Sequence, residues 1–370
     1  MEVGTGAVLT VVGLLFLCFG GYALVSGGVA IAKKFRISSL IIGLTIVAYG
    51  TSTPELAVSV ASAFQGETDL ILGNVIGSNI ANIGMVIGIS AIAAPLLITK
   101  GRLIMDKNTI KIWIPIMLGV SALLIILTIV EKNNISREAG YLFIVVLIGL
   151  SFFTFYRAKK QRREKDVLMG KEPKIDVIKK EEEVGALPKH NLQEWKEHGE
   201  KIGYYETVER KVDKIPPIAL VVIGAVTLCV GGILTINGSI GIAEGLGIST
   251  TVIGIVIVAI GTSLPELVTS IIALRKGQAN IGIGNIIGSN IYNILLILGV
   301  SSIIAGNLST ANLFGPTQVQ NLIPNDFVLM IVFSAAILIA YKKGVIPWWG
   351  GLVLAAFYTM YLIRTSLGLA

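Results

Sequence analysis

The sequence predicts an all-α membrane protein of ten transmembrane helices, arranged as two inverted five-helix repeats. Three observations carry this. Of 370 residues, 54% are hydrophobic and only 14% charged, where soluble domains carry about 25% charged residues. The apolar residues come in blocks of about 20 or more, long enough to cross a hydrocarbon core of about 30 Å. The second half of the chain also repeats the first at a constant offset.

Apolar blocks place spans at about 7–32, 38–64, 70–95, 109–130, 139–157, 216–242, 249–274, 280–306, 325–341 and 346–366. The first block is too long for a signal-peptide core and lacks a basic start, so it reads as a retained span. Cys18 and Cys229 each fall inside an apolar block. Two isolated thiols make neither a disulfide framework nor a metal site of usual spacing, so both read as packing residues.

Basic residues orient the chain. With the N-terminus outside, the short inner loops hold Lys33, Lys34, Arg36, Lys100, Arg102, Lys107, Lys111, Arg275, Lys276, Lys342 and Lys343. The outer ones hold Lys132, Arg137 and Arg364. This obeys the positive-inside rule at every loop and accounts for the net charge of +7 without a nucleic-acid partner. A multi-pass protein of a cell membrane, prokaryotic by its compact size, is expected. The remaining sixteen Lys and Arg lie between Arg157 and Lys214, with thirteen Asp and Glu. That segment, 158–214, reads as a solvated cytoplasmic linker.

The repeat registers without a gap at an offset of 211. Gly13 matches Gly224, and Gly20-Gly21 matches Gly231-Gly232. Gly50-Thr51-Ser52-x-Pro54-Glu55 matches Gly261-Thr262-Ser263-x-Pro265-Glu266. Gly73-Asn74-x-Ile76-Gly77-Ser78-Asn79 matches Gly284-Asn285-x-Ile287-Gly288-Ser289-Asn290, and Asn82 matches Asn293. Because each unit holds five spans, the second copy enters from the opposite side. Inverted repeats of this kind build secondary transporters, with the site near the bilayer midplane between the copies.

Only Glu55 and Glu266 are acids at mid-span, and an intramembrane carboxylate by default marks function. Ala48, Thr51, Ser52 and Glu55 recur at helical spacing and share one face. Pro54 and Pro265 break the hydrogen-bond ladder and free nearby carbonyls. Asn74, Ser78 and Asn82 form a polar stripe on the third span, and Asn285, Ser289 and Asn293 do so on the eighth. The glycines beside them are expected to let these two spans approach, so that both stripes face the glutamates. Every candidate ligand is oxygen. That excludes zinc, copper and iron sites and suits Ca²⁺, which takes about 6–8 oxygens in a flexible shell. Two carboxylates balance one Ca²⁺, and Na⁺ or H⁺ can replace it on the return step.

The doubled Gly-Thr-Ser-x-Pro-Glu and Gly-Asn-x-Ile-Gly-Ser-Asn motifs resemble the paired alpha repeats of the cation/Ca²⁺ antiporter superfamily, nearest its prokaryotic Na⁺/Ca²⁺ exchangers. The resemblance implies repeats at 1–157 (alpha-1 motif 43–93) and 215–370 (alpha-2 motif 254–304). It implies ion ligands at Ala48, Thr51, Ser52, Glu55, Ser78 and Asn82, and at Ala259, Thr262, Ser263, Glu266, Ser289 and Asn293. The alanines and threonines would act partly through backbone carbonyls. It further implies alternating access, with the first and sixth spans sliding against an eight-span core. Members of that branch often carry Asp where this chain has Asn293, which leaves Na⁺ and H⁺ coupling both open. The linker is too short for the large Ca²⁺-sensing domains of animal exchangers. The expectation is a Na⁺/Ca²⁺ antiporter, with an H⁺/Ca²⁺ antiporter on the same site as the alternative and a cation channel third. No enzyme activity, cofactor, nucleic acid or obligatory protein partner is expected; the partners are the transported ions and the lipid bilayer.

Overall fold

The computed structural model describes residues 3–98, 102–168, 215–246, 259–309, 325–340 and 344–366. Most of the linker, the first half of the seventh span and the segment before the ninth lie outside them. The helices are α1 (Val3–Phe35), α2 (Ser39–Thr51), α3 (Thr53–Gln65), α4 (Thr68–Leu97), α5 (Thr109–Val130) and α6 (Arg137–Leu168). In the second half they are α7 (Pro217–Gly245), α8 (Ala259–Thr262), α9 (Leu264–Arg275), α10 (Ala279–Ala305), α11 (Asn325–Ala336) and α12 (Trp348–Ser366).

Six helices among the described residues are long and apolar enough to cross a bilayer. The α2–α3 pair makes a seventh span, bent by 46° at Ser52. Proline explains the bend: Pro54 has no N–H to return to the Gly50 carbonyl, so α2 stops and α3 restarts with proline in its first turn. Pro265 occupies the same place in α9. Helix α6 differs from the expected fifth span. It runs past the apolar block to Leu168, carrying the first charged residues of the linker.

Helices α1 and α7 pack along a seam with a seven-residue glycine period. A Cβ on Gly6 would meet Gly238 O at 2.8 Å, one on Gly13 would meet Gly231 O at 2.8 Å, and one on Gly20 would meet Gly224 O at 2.9 Å. At the far end, a Cβ on Gly27 would meet Pro217 O at 2.8 Å. Side-chain-free positions let two backbones touch, which is how helices associate where lipid removes the hydrophobic drive. The pairing order makes α1 and α7 antiparallel. Since they are equivalent in the repeat, the two halves are inverted.

The outer faces of this pair are apolar and exposed, with Val8, Val11, Leu15 and Phe19 on α1 and Val222, Val226 and Ile233 on α7. Cys18 lies on the exposed side as well, so it is not the packing residue that its apolar block suggests. The inner faces close over a small cluster that includes Leu17, Leu24, Leu228, Ile42, Val47 and Ile281.

The larger core is built around α4 and α10, the most enclosed helices, and its cluster includes Ile71, Leu72, Val75, Ile76 and Ile80 with Ile283, Ile286, Ile287 and Ile294. Two short antiparallel ladders tie the halves together. Strand β1 (Leu103–Ile104) pairs with β4 (Val345–Ile346), and β2 (Asn134–Ser136) pairs with β3 (Asn307–Ser309). Each ladder joins the loop after the third span of one repeat to the loop before the fifth span of the other.

The seam predicts a sharp contrast between two glycines. Gly224→Ala drives a methyl group into backbone, 2.5 Å from Leu24 N, and overpacking of this kind costs about 1–3 kcal/mol. The variant should melt at a clearly lower temperature in detergent. Gly4→Ala, with nothing within 4 Å of the added methyl, should melt like the parent.

Candidate functional site

The site forms where the two broken spans meet. Glycines on α10 make the meeting possible. A Cβ on Gly284 would lie 2.6 Å from Leu40 O, and one on Gly288 would lie 2.7 Å from Leu44 O and from the Ala48 side chain. Gly43 approaches from the other direction, its Cβ 2.4 Å from Ile281 O. These glycines therefore seat the eighth span on the second, across the repeat boundary. The expected role, bringing the third and eighth spans together, falls instead to asparagines described below.

With α10 seated, Ser289 and Asn285 face Thr51 and Ser52. Thr51 donates its hydroxyl to Asn285 Oδ1 at 2.9 Å, and its Oγ1 lies 3.5 Å from Ser289 Oγ. Ser52 and Ser289 each donate to Glu266 Oε1, at 3.4 and 3.3 Å. The mirror contact pairs Ser78 Oγ with Thr262 Oγ1 at 3.4 Å. Glu55 and Glu266 are both fully buried, as are Asn82 and Asn293. The structure thus gathers Thr51, Ser52, Ser78, Thr262, Ser289 and Glu266 by direct contact. Glu55 stands one turn from Ser52 on the adjoining helix. Ala48 and Ala259 lie in helical backbone just before the breaks, where Ala48 O accepts both Ser52 N–H and the Thr51 hydroxyl.

Among the described residues, five acceptor oxygens here have no hydrogen-bond donor: both of Glu55, Oε2 of Glu266, and Oδ1 of Asn82 and Asn293. The Ser263 hydroxyl is likewise unmatched. An unsatisfied buried acceptor costs about 1–3 kcal/mol, and more when charged. Folded proteins keep few of them. Here they cluster and come in repeat-related pairs. Hard oxygen atoms, two of the side chains being carboxylates, are the donor type that hard cations such as Ca²⁺ take. Among the described residues no group of three or more His, Cys, Asp or Glu side chains forms.

The repeats are not equivalent in every bond. Asn74 Nδ2 donates to Glu55 O at 3.1 Å and to Ser59 Oγ at 2.9 Å, bracing the bend of its own repeat. The corresponding bond in the second repeat is absent: Asn285 gives its oxygen to Thr51, while Asn285 Nδ2 and Ser270 Oγ both lack partners. Sequence reasoning placed Asn74 in a stripe that faces the glutamates; it meets Glu55 at the backbone carbonyl, as an interhelical clamp. The turns that follow Asn82 and Asn293 are also alike. Asn82–Ile87 and Asn293–Leu298 are π-helical, a widened turn that often marks functional positions.

The family of sodium/calcium exchanger proteins matches residues 5–156 and 216–367, two segments offset by the same 211 residues. The chain belongs to the sodium/calcium exchanger family. Among its relatives is the sodium/calcium exchanger MaX1 of Methanosarcina acetivorans, 36% identical across 96% of this chain and 97% of that one. The putative antiporter CaxA of Alkalimonas amylolytica is 32% identical across 91% and 90%. A solved structure of the sodium-calcium exchanger NCX_Mj superposes with a TM-score of 0.71 at 27% identity, covering 98% of this chain and 99% of that one. The likeness extends the ten-helix, two-repeat architecture over the whole chain. A sodium/calcium exchanger is a membrane transporter, and cation/Ca²⁺ exchange is the activity that fits this chain.

The clamp can be tested directly. Asn74→Ala removes both hydrogen bonds at the bend, and each typical bond contributes about 0.5–1.5 kcal/mol. A lowered melting temperature in detergent is expected. Ser270→Ala removes a hydroxyl that has no partner and should melt within about a degree or two of the parent.

Proposed function

We propose that this exchanger moves Ca²⁺ against Na⁺ by alternating access, around a single site centred on Glu55 and Glu266. The supporting observation is the paired set of donor-less buried oxygens on Glu55, Glu266, Asn82 and Asn293. Two carboxylates balance the charge of one Ca²⁺. The amide oxygens of Asn82 and Asn293, hydroxyls of Ser52, Ser78, Ser263 and Ser289, and backbone carbonyls near Ala48, Thr51, Ala259 and Thr262 complete an oxygen shell of the size Ca²⁺ requires. Na⁺ needs fewer charges per ion, so more than one can occupy the same oxygens on the return step. This account follows the sodium/calcium exchangers among the chain's relatives.

The ligand set holds two formal negative charges, because position 293 is Asn. That is what keeps proton coupling as a second reading: two carboxylates that release one Ca²⁺ can be neutralised by two protons as readily as by Na⁺. The glycine seam suits the expected motion. It presents few side-chain obstacles, and α1 and α7 hold each other more closely than either holds the core. In the proposed topology the N-terminus lies outside and the linker is cytoplasmic, with repeats at 1–157 and 215–370.

The first experiment is Ca²⁺ uptake into proteoliposomes loaded with Na⁺ and diluted into Na⁺-free buffer. Uptake should require internal Na⁺ and persist when a pH gradient is collapsed. Uptake that ignores Na⁺ and follows the pH gradient transfers the protein to the proton-coupled reading. Glu55→Gln and Glu266→Gln should each reduce uptake by at least about a hundredfold while eluting as monodisperse, folded protein. Normal exchange in either one removes the glutamates from the site. Asn293→Asp adds a third carboxylate and should change the Na⁺ dependence of uptake; an unaltered Na⁺ profile would take that side chain out of the ligand set.

A further inference from the structure

Ligand amides face a problem that carboxylates do not. A carboxylate presents two equivalent oxygens, whereas an amide presents oxygen on one side and N–H₂ on the other. A cation site that uses Asn82 and Asn293 works only if both amides keep their oxygens inward. Something must hold the nitrogen side.

Two residues outside the expected ligand set do so. Asn82 Nδ2 donates to Asn290 Oδ1 at 2.9 Å, and Asn293 Nδ2 donates to Asn79 Oδ1 at 3.0 Å. Each asparagine of the first repeat is therefore held by one from the second, and the reverse. Asn79 and Asn290 are themselves fastened. Asn79 Nδ2 donates to Asn290 O at 3.3 Å and lies 3.5 Å from Met330 Sδ. Asn290 Nδ2 donates to Asn79 O at 3.4 Å and lies 3.7 Å from Met117 Sδ. All four asparagines are buried to within 1%.

The arrangement leaves no freedom to flip. Turning Asn79 over would set its N–H₂ against that of Asn293 and its oxygen against the Asn290 carbonyl. The same holds for Asn290 by symmetry. The remaining oxygens, Asn82 Oδ1 and Asn293 Oδ1, are the ones without donors. We infer that Asn79 and Asn290 are positioning residues of the exchanger, which fix the amide orientation of Asn293 and Asn82 and so set the site's cation affinity. The inference rests on the proposed ligand role of Asn82 and Asn293.

A double-mutant cycle tests it. Asn79→Leu removes the acceptor that holds Asn293 while keeping the branching and the number of heavy atoms of the side chain. In the parent background it should raise the Ca²⁺ concentration for half-maximal uptake about tenfold, with a smaller effect on maximal rate. In an Asn293→Asp background the side chain at 293 has no nitrogen side to hold. The tenfold penalty of Asn79→Leu should then shrink to about twofold or less. A residue that merely packs the helices would impose the same penalty in both backgrounds, and that outcome overturns the inference. The symmetry-related cycle, Asn290→Leu with and without Asn82→Asp, gives an independent reading should either 293 variant fail to fold. Equilibrium ⁴⁵Ca²⁺ binding to purified protein, measured on the same variants, separates the two levels of the proposal. If Asn293→Asp and Asn82→Asp both leave Ca²⁺ binding untouched, the ligand assignment fails. If they alter it while the Asn79 and Asn290 penalties stay constant across backgrounds, the ligand assignment stands and the positioning role falls.

Discussion

The structure depends on a contact between backbones. Gly284 and Gly288 of α10 rest against the main chain of α2, with Gly43 returning the contact. A methyl group at any of these positions would hold the second and eighth spans apart. The distance matters because Thr51 reaches Asn285 and Ser289, and Ser52 reaches Glu266, only through hydrogen bonds of 2.9–3.5 Å. Buried polar groups in a membrane are tolerable when they find partners or enclose a charge. The glycines create the closeness that lets the hydroxyls of one repeat serve the carboxylate of the other.

Much of this was legible in the amino-acid order. The offset of 211 carries both the symmetry and the inversion, since five spans lie in each copy. Pro54 and Pro265 announce breaks, and the second span bends by 46° at that place. The two glutamates are conspicuous because nothing else charged lies at mid-span. The family match and the likeness to NCX_Mj agree with this reading of the fold and the kind of transport.

What sequence reasoning missed concerns direction. A stripe at spacing four identifies which residues share a helix face but not which neighbour that face meets. Asn74 does face a glutamate as its stripe predicts, but spacing does not say that it meets the Glu55 backbone carbonyl and not the carboxylate. The glycines beside the stripe were assigned to the wrong partner helix for the same reason. Asn79 and Asn290 were visible in both copies of the Gly-Ser-Asn motif, three residues before Asn82 and Asn293 and so on the same helical face. Their function depends on partners about 210 positions away, which spacing does not encode. Met117 and Met330 leave no signal at all in the sequence.

The glycine seam between α1 and α7 has a property that follows from its numbering. The paired positions are 6 with 238, 13 with 231, 20 with 224 and 27 with 217, so exchanging the repeats maps the set onto itself. The pseudo-two-fold axis passes through the seam, between the pair at 13 and the pair at 20. An interface of that kind presents nearly the same contacts to either face of the membrane, the exception being Pro217 where the first repeat has Gly6. Any preference for one resting state must therefore come from whatever the duplication left unequal. Two more such features are present: the different bonding of Asn74 and Asn285, and Lys276, which bonds Ser26 and lies over the Tyr22 ring of α1. The first of these lies beside the buried glutamates, so the asymmetry reaches the core of the molecule.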